Sequence, residues 1–365
     1  MRCFSVGMWA IAVRLFLLGG SSLPALAQAD QAPAGFHPPG MWTWDNWFAY
    51  DGQRWHAFYL QLAQAVGPDR RWKNNDFYKQ VGHATSTNLR DWQDEGPALC
   101  ALSGTWNDRH IATGSVVRHD GRWWMVFTGR GTKADGVGLA VSDDLKTWSA
   151  AQDTPLFPLT GTFGGGVEAG VFASKWEGQT LRWIGISDPY LVTEQMDGWY
   201  LMVLCSRVLD VPLAQSGCLT MLRSRDLRHW EEPEIVAWPR CFERMETPQL
   251  WKRLEMWHLS FGGVLDGEWV KQNSGALPDA VKNQKSHQNY CYSLDRFAGP
   301  ADSERLQHIK APRGHYIMKV LPLTPEQDLA IFTASDKSNS WISPPYPVRY
   351  GEKGLLLQFP EEKGN

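Results

Sequence analysis

The sequence predicts an all-β protein, a five-bladed β-propeller, and three observations carry that prediction. The first is a repeated corner: Ser86-Thr-Asn-Leu-Arg-Asp-Trp92, Ser142-Asp-Asp-Leu-Lys-Thr-Trp148 and Ser224-Arg-Asp-Leu-Arg-His-Trp230 all read Ser-x-Asp/Asn-Leu-x-x-Trp. Each copy follows a short β-prone run such as Val-Gly-His-Ala-Thr or Val-Gly-Leu-Ala-Val. The second is a repeated hairpin, in which Asp51-Gly52, Asp120-Gly121 and Asp197-Gly198 each precede an aromatic run. Asp-Gly is a two-residue turn signal, and the run after it has the look of a half-buried strand. The third is the absence of long helical periodicity, with Gly and Pro punctuating every short apolar run.

A strand, an Asp-Gly turn, an aromatic strand, a further strand and the Ser-to-Trp corner make a unit of roughly 55 to 80 residues, the size of a propeller blade. Such a unit buries its faces only by stacking on its neighbours. Dividing the chain by it gives blades near 40–100, 101–160, 161–235, 236–300 and 301–360, with the stretch before Gly40 as a lead-in. A pair of β-sandwiches is the competing architecture. No low-complexity linker divides the chain.

The first residues combine an early Arg2, an apolar stretch and the small-residue pattern Ala25-Leu26-Ala27. That order predicts a secretory signal peptide over 1–27, a mature single domain over 28–365, and export to the periplasm or the extracellular space. Arg14 interrupts the apolar stretch, which is then too short to span a bilayer. A net charge of -3 with mixed signs excludes nucleic acid and anionic membrane as main partners. The cysteines outside the leader, Cys100, Cys205, Cys218, Cys241 and Cys291, are odd in number and scattered. They form no disulfide framework and no zinc spacing, although one or two bridges are compatible with an oxidising compartment. The 20 tryptophans are the unusual figure. Most such rings fill cores, while in exported proteins flat aromatic faces also stack on sugars.

A propeller gathers its innermost strands around one axis, so acids far apart in sequence meet in a central pocket. Asp45 lies among three tryptophans in Met41-Trp-Thr-Trp-Asp-Asn-Trp-Phe48, where a carboxylate is costly to desolvate without a task. Asp188 precedes Pro189 just ahead of the Asp197-Gly198 hairpin, and Glu246 lies in Arg244-Met-Glu-Thr-Pro248 ahead of another apolar strand. Taken singly, each is also explained by a turn or a surface role. Together they hold a similar phase within their blades, which suits paired-carboxylate chemistry.

These residues resemble the glycosidases of families 32, 43 and 68, the invertase, levansucrase and arabinanase group of five-bladed propellers. Trp44-Asp-Asn-Trp47 is similar to the stretch carrying the levansucrase nucleophile, and Phe58-Tyr-Leu-Gln61 to an invertase strand whose Gln contacts sugar. Val81-Gly-His83-Ala-Thr-Ser resembles the Trp-Gly-His-Ala-x-Ser segment, and Thr113-Gly-Ser115 the substrate-lining Ser-Gly-Ser. Asp188-Pro189 is similar to the Arg-Asp-Pro motif, and Glu246-Thr-Pro248 to Glu-Cys-Pro. Three departures mark an outlying member. Ser187 stands where the sugar-binding Arg is expected, the Asn-Asp-Pro-Asn-Gly motif is not found at Asp45, and no C-terminal β-sandwich is expected after blade five.

The resemblance implies a hydrolase of furanoside bonds, retaining like levansucrase, with transfer to other acceptors as an accompanying activity. Glu246 would be the general acid, Asp45 the nucleophile and Asp188 the group that opposes transition-state charge. Trp42, Trp44 and Trp47 would form a stacking wall, while Gln61, Thr113 and Ser115 would line the substrate. The partner would be an oligo- or polysaccharide and no cofactor is required. A structural cation in the axial channel is allowed but not expected, and His315 is its weak candidate ligand. His83, His110, His287 and, first of all, His315 itself read as hydrogen-bonding histidines. Gly129-Arg-Gly131 and Gly164-Gly-Gly166 read as loop glycines without phosphate-loop spacing. An inverting family 43-like arabinofuranosidase or xylosidase is the rival within enzymes. A sugar-binding propeller without catalysis is the rival outside them.

Overall fold

The computed structural model describes residues 35–66, 79–159, 170–295, 301, 303–351 and 354–359, so the leader segment 1–27 and Gly164-Gly-Gly166 lie outside it. Five antiparallel sheets stand in a ring. Their innermost strands are Met41–Tyr50, His110–His119, Gln179–Leu191, Arg244–Arg253 and His315–Thr324. The expected blades are all present, with two boundaries moved: the outer strands of blades three and four, Glu234–Ala237 and Leu306–Ile309, run beyond the expected ends at 235 and 300. Blade three gains a strand, Phe172–Trp176, paired to the start of its long inner strand. One short helix, Gly267–Asn273, breaks the second-to-third strand connection of blade four, and the Asp266 carboxylate caps it by accepting from the Glu268 and Trp269 amides.

The ring holds because strands alternate apolar side chains toward both neighbouring blades. In the second strand of blade one, Phe58 and Leu60 pack toward blade two while Ala57 and Tyr59 pack toward blade five. The five apolar clusters of the described residues fall on the five seams between blades. At about 1.5 to 3 kcal/mol for each large side chain fully buried, these seams are the main favourable contribution to closure. Hydrogen bonds then fix the register of the last seam. Phe36 and Ile342 exchange backbone bonds of 2.8 and 2.7 Å, and Thr43 bonds both the hydroxyl and the carbonyl of Ser340.

The repeated Ser-to-Trp corner is a turn in all three copies. The Asn88, Asp144 and Asp226 side chains each accept two backbone amides, at 2.7 to 2.9 Å. The following Leu89, Leu145 and Leu227 take left-handed φ of 61, 62 and 62° and are fully buried. That conformation costs a non-glycine residue about 1 to 2 kcal/mol, which the burial of a leucine offsets. Trp148 and Trp230 then donate to the carbonyl of that leucine.

Asp120-Gly121 and Asp197-Gly198 are left-handed at both residues, the twist a two-residue hairpin needs. Blade four makes the same turn with Leu254 and Glu255, at φ 47 and 63°. Neither residue suits that conformation, and Leu254 is exposed. Replacing the pair by Asn-Gly is expected to stabilise the protein by about 1 kcal/mol or more, read as a higher unfolding midpoint. An unchanged or lower midpoint counts against it.

Candidate active site

All five inner strands carry a register irregularity at the same level. It falls between Trp44 and Trp47, Ala112 and Gly114, Ser187 and Tyr190, Glu246 and Gln249, and Tyr316 and Met318. A bulge adds a residue, bends the strand and re-aims side chains. Four of the five hold a left-handed residue: Asp45, Asp188, Thr247 and Ile317, at φ 48, 59, 46 and 59°. For β-branched Thr247 and Ile317 this is strained backbone, repeated around one axis. Asp45 and Asp188 thus occupy the same structural position, whereas Glu246 comes one residue earlier, on the register of Tyr316. The equal phase expected from the sequence holds for two of the acids.

The three carboxyl groups meet. Asp45 is within electrostatic reach of Asp188 and Glu246, and burial together with those two charges pushes its pKa up to about 8. The Thr113 hydroxyl donates to Asp45 Oδ2 at 2.8 Å, which favours the charged form. Asp188 is buried, its Oδ2 accepting the Thr247 amide at 2.9 Å while its own amide bonds the Thr128 hydroxyl. Burial also raises the pKa of Glu246. Against that rise stand Arg244, whose Nη1 is 3.1 Å from Oε1, and the Tyr316 hydroxyl, which donates to Oε2 at 2.9 Å.

A lysine that the sequence reading missed completes the cluster. Lys319, on the inner strand of blade five, is 3 % exposed. Its Nζ donates to the Thr247 and Pro248 carbonyls at 2.7 and 3.1 Å and lies 5.4 Å from the Tyr190 ring centroid. Among the described residues it has no ion-pair partner in contact, yet Asp45 and Asp188 lie within electrostatic reach. Burial pulls its pKa down to about 8 despite those two charges, so desolvation outweighs attraction for the lysine as it does for Asp45. The signal for it is a single Lys inside the apolar run Ile317-Met-Lys-Val-Leu321. It supplies an interior cation to a site with serine at position 187.

Several expected contacts are not made. Trp42 and Trp47 are 2 and 1 % exposed, and with Trp44 they belong to the seam between blades one and two, where Trp47 stacks on Phe58. The bulge at Asp45 is the reason: its extra residues keep Trp42, Trp44 and Trp47 on one face, and that face is the seam. They are core rather than a stacking wall. Ser115 donates to the Pro189 carbonyl at 3.1 Å and accepts the Leu191 amide at 2.6 Å. Its buried hydroxyl clamps blade two to blade three, and its one proton is already given to Pro189. The Gln61 side chain donates to Gln80 Oε1 at 3.3 Å. Thr113 is in the site, but on Asp45. His315 bonds the Tyr346 hydroxyl, and among the described residues no group of three or more His, Cys, Asp or Glu is placed to hold a metal ion. Gly129 and Arg130 end a strand rather than lying in a loop, and Arg130 pairs with Asp135 and donates to the Ile186 carbonyl beside the site.

Residues 36–252 match the model of the glycosyl hydrolases family 32 N-terminal domain. The chain belongs to this family. Among solved structures, this family 32 member is similar to a sucrose-6-phosphate hydrolase from Lactobacillus gasseri, at 17% identity and a TM-score of 0.64, covering 90% of this chain and 63% of that one. A family 32 β-fructofuranosidase from Bombyx mori is similar at 16% identity and a TM-score of 0.63, over 91% of this chain and 65% of that one. The chain therefore spans a little under two thirds of the length of each. An endo-arabinase from Bacteroides thetaiotaomicron is similar at 14% identity and a TM-score of 0.58, over 86% of this chain and 96% of that one. At such identities the likeness is one of fold. A comparison with curated proteins gives no match.

Proposed function

We propose that the protein is an exported glycoside hydrolase that cleaves furanoside bonds of an oligo- or polysaccharide with retention, using Asp45, Asp188 and Glu246 and no cofactor. The observation that carries the reading is the convergence of these three acids at the level of the inner-strand bulges. In the first step an Asp45 oxygen attacks the anomeric carbon. The bond to the leaving oxygen breaks as that oxygen takes the Glu246 proton. Asp188, fixed by the Thr247 amide, opposes the positive charge that develops on the ring. In the second step water attacks the same carbon and gives its proton to Glu246, and Asp45 leaves. An alcohol in place of water gives transfer.

A second reading, an inverting arabinofuranosidase or xylosidase, draws support from Ser187, which removes the arginine expected of a fructose site. The test is hydrolysis of sucrose, levan, inulin, arabinan and aryl furanosides, with methanol as competing acceptor. The proposal expects release of a furanose sugar and a methyl glycoside of unchanged anomeric configuration. Inverted product favours the second reading. In Glu246→Gln, turnover of substrates with poor leaving groups is expected to fall by about 10²-fold or more while sugar binding persists. A propeller that only binds sugar has no turnover to lose, and absence of turnover on the whole panel overturns the hydrolase reading.

A further inference from the structure

Blade three does not hold its own bulge. The ladder from its inner strand to its second strand slips twice, between Gly185 and Ser187 and again between Ser187 and Tyr190. Ile186, Asp188 and Pro189 are left outside the register. Backbone groups put out of a ladder need other partners, and here three side chains of blade two supply them. Arg130 Nη2 donates to the Ile186 carbonyl at 2.9 Å, and the Thr128 hydroxyl accepts the Asp188 amide at 2.9 Å. Ser115 bonds the Pro189 carbonyl and the Leu191 amide.

Two of these holders are small hydroxyls, and the third is an ion pair. Arg130 and Asp135 face each other across the second and third strands of blade two, with Nη1 3.0 Å from Oδ2 and 10 and 6% of their side chains exposed. Asp135 Oδ1 also accepts the Gly131 amide, at 3.3 Å. Taking both charges out of water cancels much of their attraction, and an apolar pair of similar volume often serves stability as well or better. What the ion pair adds is direction. Asp135 sets the plane of the rigid guanidinium fork, and another arm of that fork reaches the carbonyl two residues ahead of Asp188.

We propose that Arg130 is a positioning residue for the reaction: oriented by Asp135, it fixes Ile186 so that the Asp188 carboxylate is held in place before bond cleavage begins. This rests on the reading of Asp188 as the group that opposes transition-state charge. A stabilising charge is effective only when it is already aimed, because any reorganisation during the reaction is added to the barrier. Arg130 acts through the backbone from Ile186 to Asp188.

The experiment replaces the pair by an apolar one, Arg130→Met with Asp135→Leu, because removing one partner strands the other charge. The expected result is an unfolding midpoint at or above that of the unaltered protein, together with a kcat about 10- to 100-fold lower. KM is expected to stay within about threefold, since the interaction lost is one made in the transition state. Arg130→Lys can serve Asp135 or Ile186 but not both, and its kcat is expected to fall between the two. Added to Asp188→Asn, the apolar pair is expected to lower kcat by no more than about threefold further, because groups acting as a unit are not additive. Hydrogen exchange at the Asp188 and Thr247 amides, held by Thr128 and by the Asp188 carboxylate, is expected to quicken about tenfold or more while the other inner strands are unchanged. Full kcat in the folded apolar variant overturns the proposal, and so does an undiminished further loss on top of Asp188→Asn. If the apolar variant does not fold, an intermediate kcat in Arg130→Lys with the midpoint kept sustains the proposal, and an unchanged kcat overturns it. If the unaltered protein turns over no furanoside, the hydrolase reading fails and exchange decides. Quickened exchange at those two amides in a variant of intact midpoint sustains the positioning role, and unchanged exchange overturns it.

Discussion

Replacing Asp45 by Asn is expected to abolish turnover and, at the same time, to make the protein more stable in a pH-dependent way. Loss of the attacking group should cut kcat by about 10⁴-fold or more. The stability gain follows from the crowding of the site. Burial and the charges of Asp188 and Glu246 hold the Asp45 pKa at about 8, against 3.8 for the ordinary group. Between those values the folded protein binds more protons than the unfolded chain, so stability falls as pH rises across that window. Asn carries no titrating proton and escapes the loss. It also tolerates the left-handed φ of 48° at this position and still accepts from Thr113. Each pH unit corresponds to about 1.4 kcal/mol, and relaxation among the coupled acids reduces the total to on the order of 2 to 4 kcal/mol at pH 8. Thermal unfolding of both proteins from pH 4 to 8 checks this. The curves should coincide at the acid end and separate toward pH 8. A constant offset would point to packing instead.

The fold was legible because its repeats are chemical as well as statistical. The Ser-to-Trp corner is visible in the sequence since one Asp or Asn must accept two amides while the next residue fills the seam from a left-handed backbone. The Asp-Gly turns and the aromatic runs after them gave the strands, and the length of the repeated unit gave the ring. The acids were legible through their aromatic and proline neighbours. What alternation could not foretell is the bulge at the heart of each inner strand. It keeps Trp42, Trp44 and Trp47 together on the seam, and it lets Glu246 join Asp45 from a different register. Ser115 was misread for a related reason: its hydroxyl is needed between two inner strands, a contact between blades that has no local signal. Lys319 escaped notice because one cation in an apolar strand gains meaning only when other blades bring acids to its end.

Lys319 also carries the second large prediction: Lys319→Met is expected to lower kcat/KM at neutral pH by about 10- to 100-fold and to shift the acidic limb of the pH profile upward. The ammonium is the interior charge that favours the ionised form of Asp45. That pull opposes burial and the charges of Asp188 and Glu246, and it is the smallest of the influences on Asp45. Without it Asp45 keeps its proton to a higher pH, and less of the protein is competent at neutrality. Raising the pH should therefore recover much of the lost rate. The variant also leaves the Thr247 and Pro248 carbonyls without their donor, so some loss of stability accompanies it. Packing damage of that kind lowers the rate at every pH alike. A displaced limb and recovery on the alkaline side are the signature of a charge acting through Asp45, and a pH profile reduced in height but unmoved would show that Lys319 only braces the bulge.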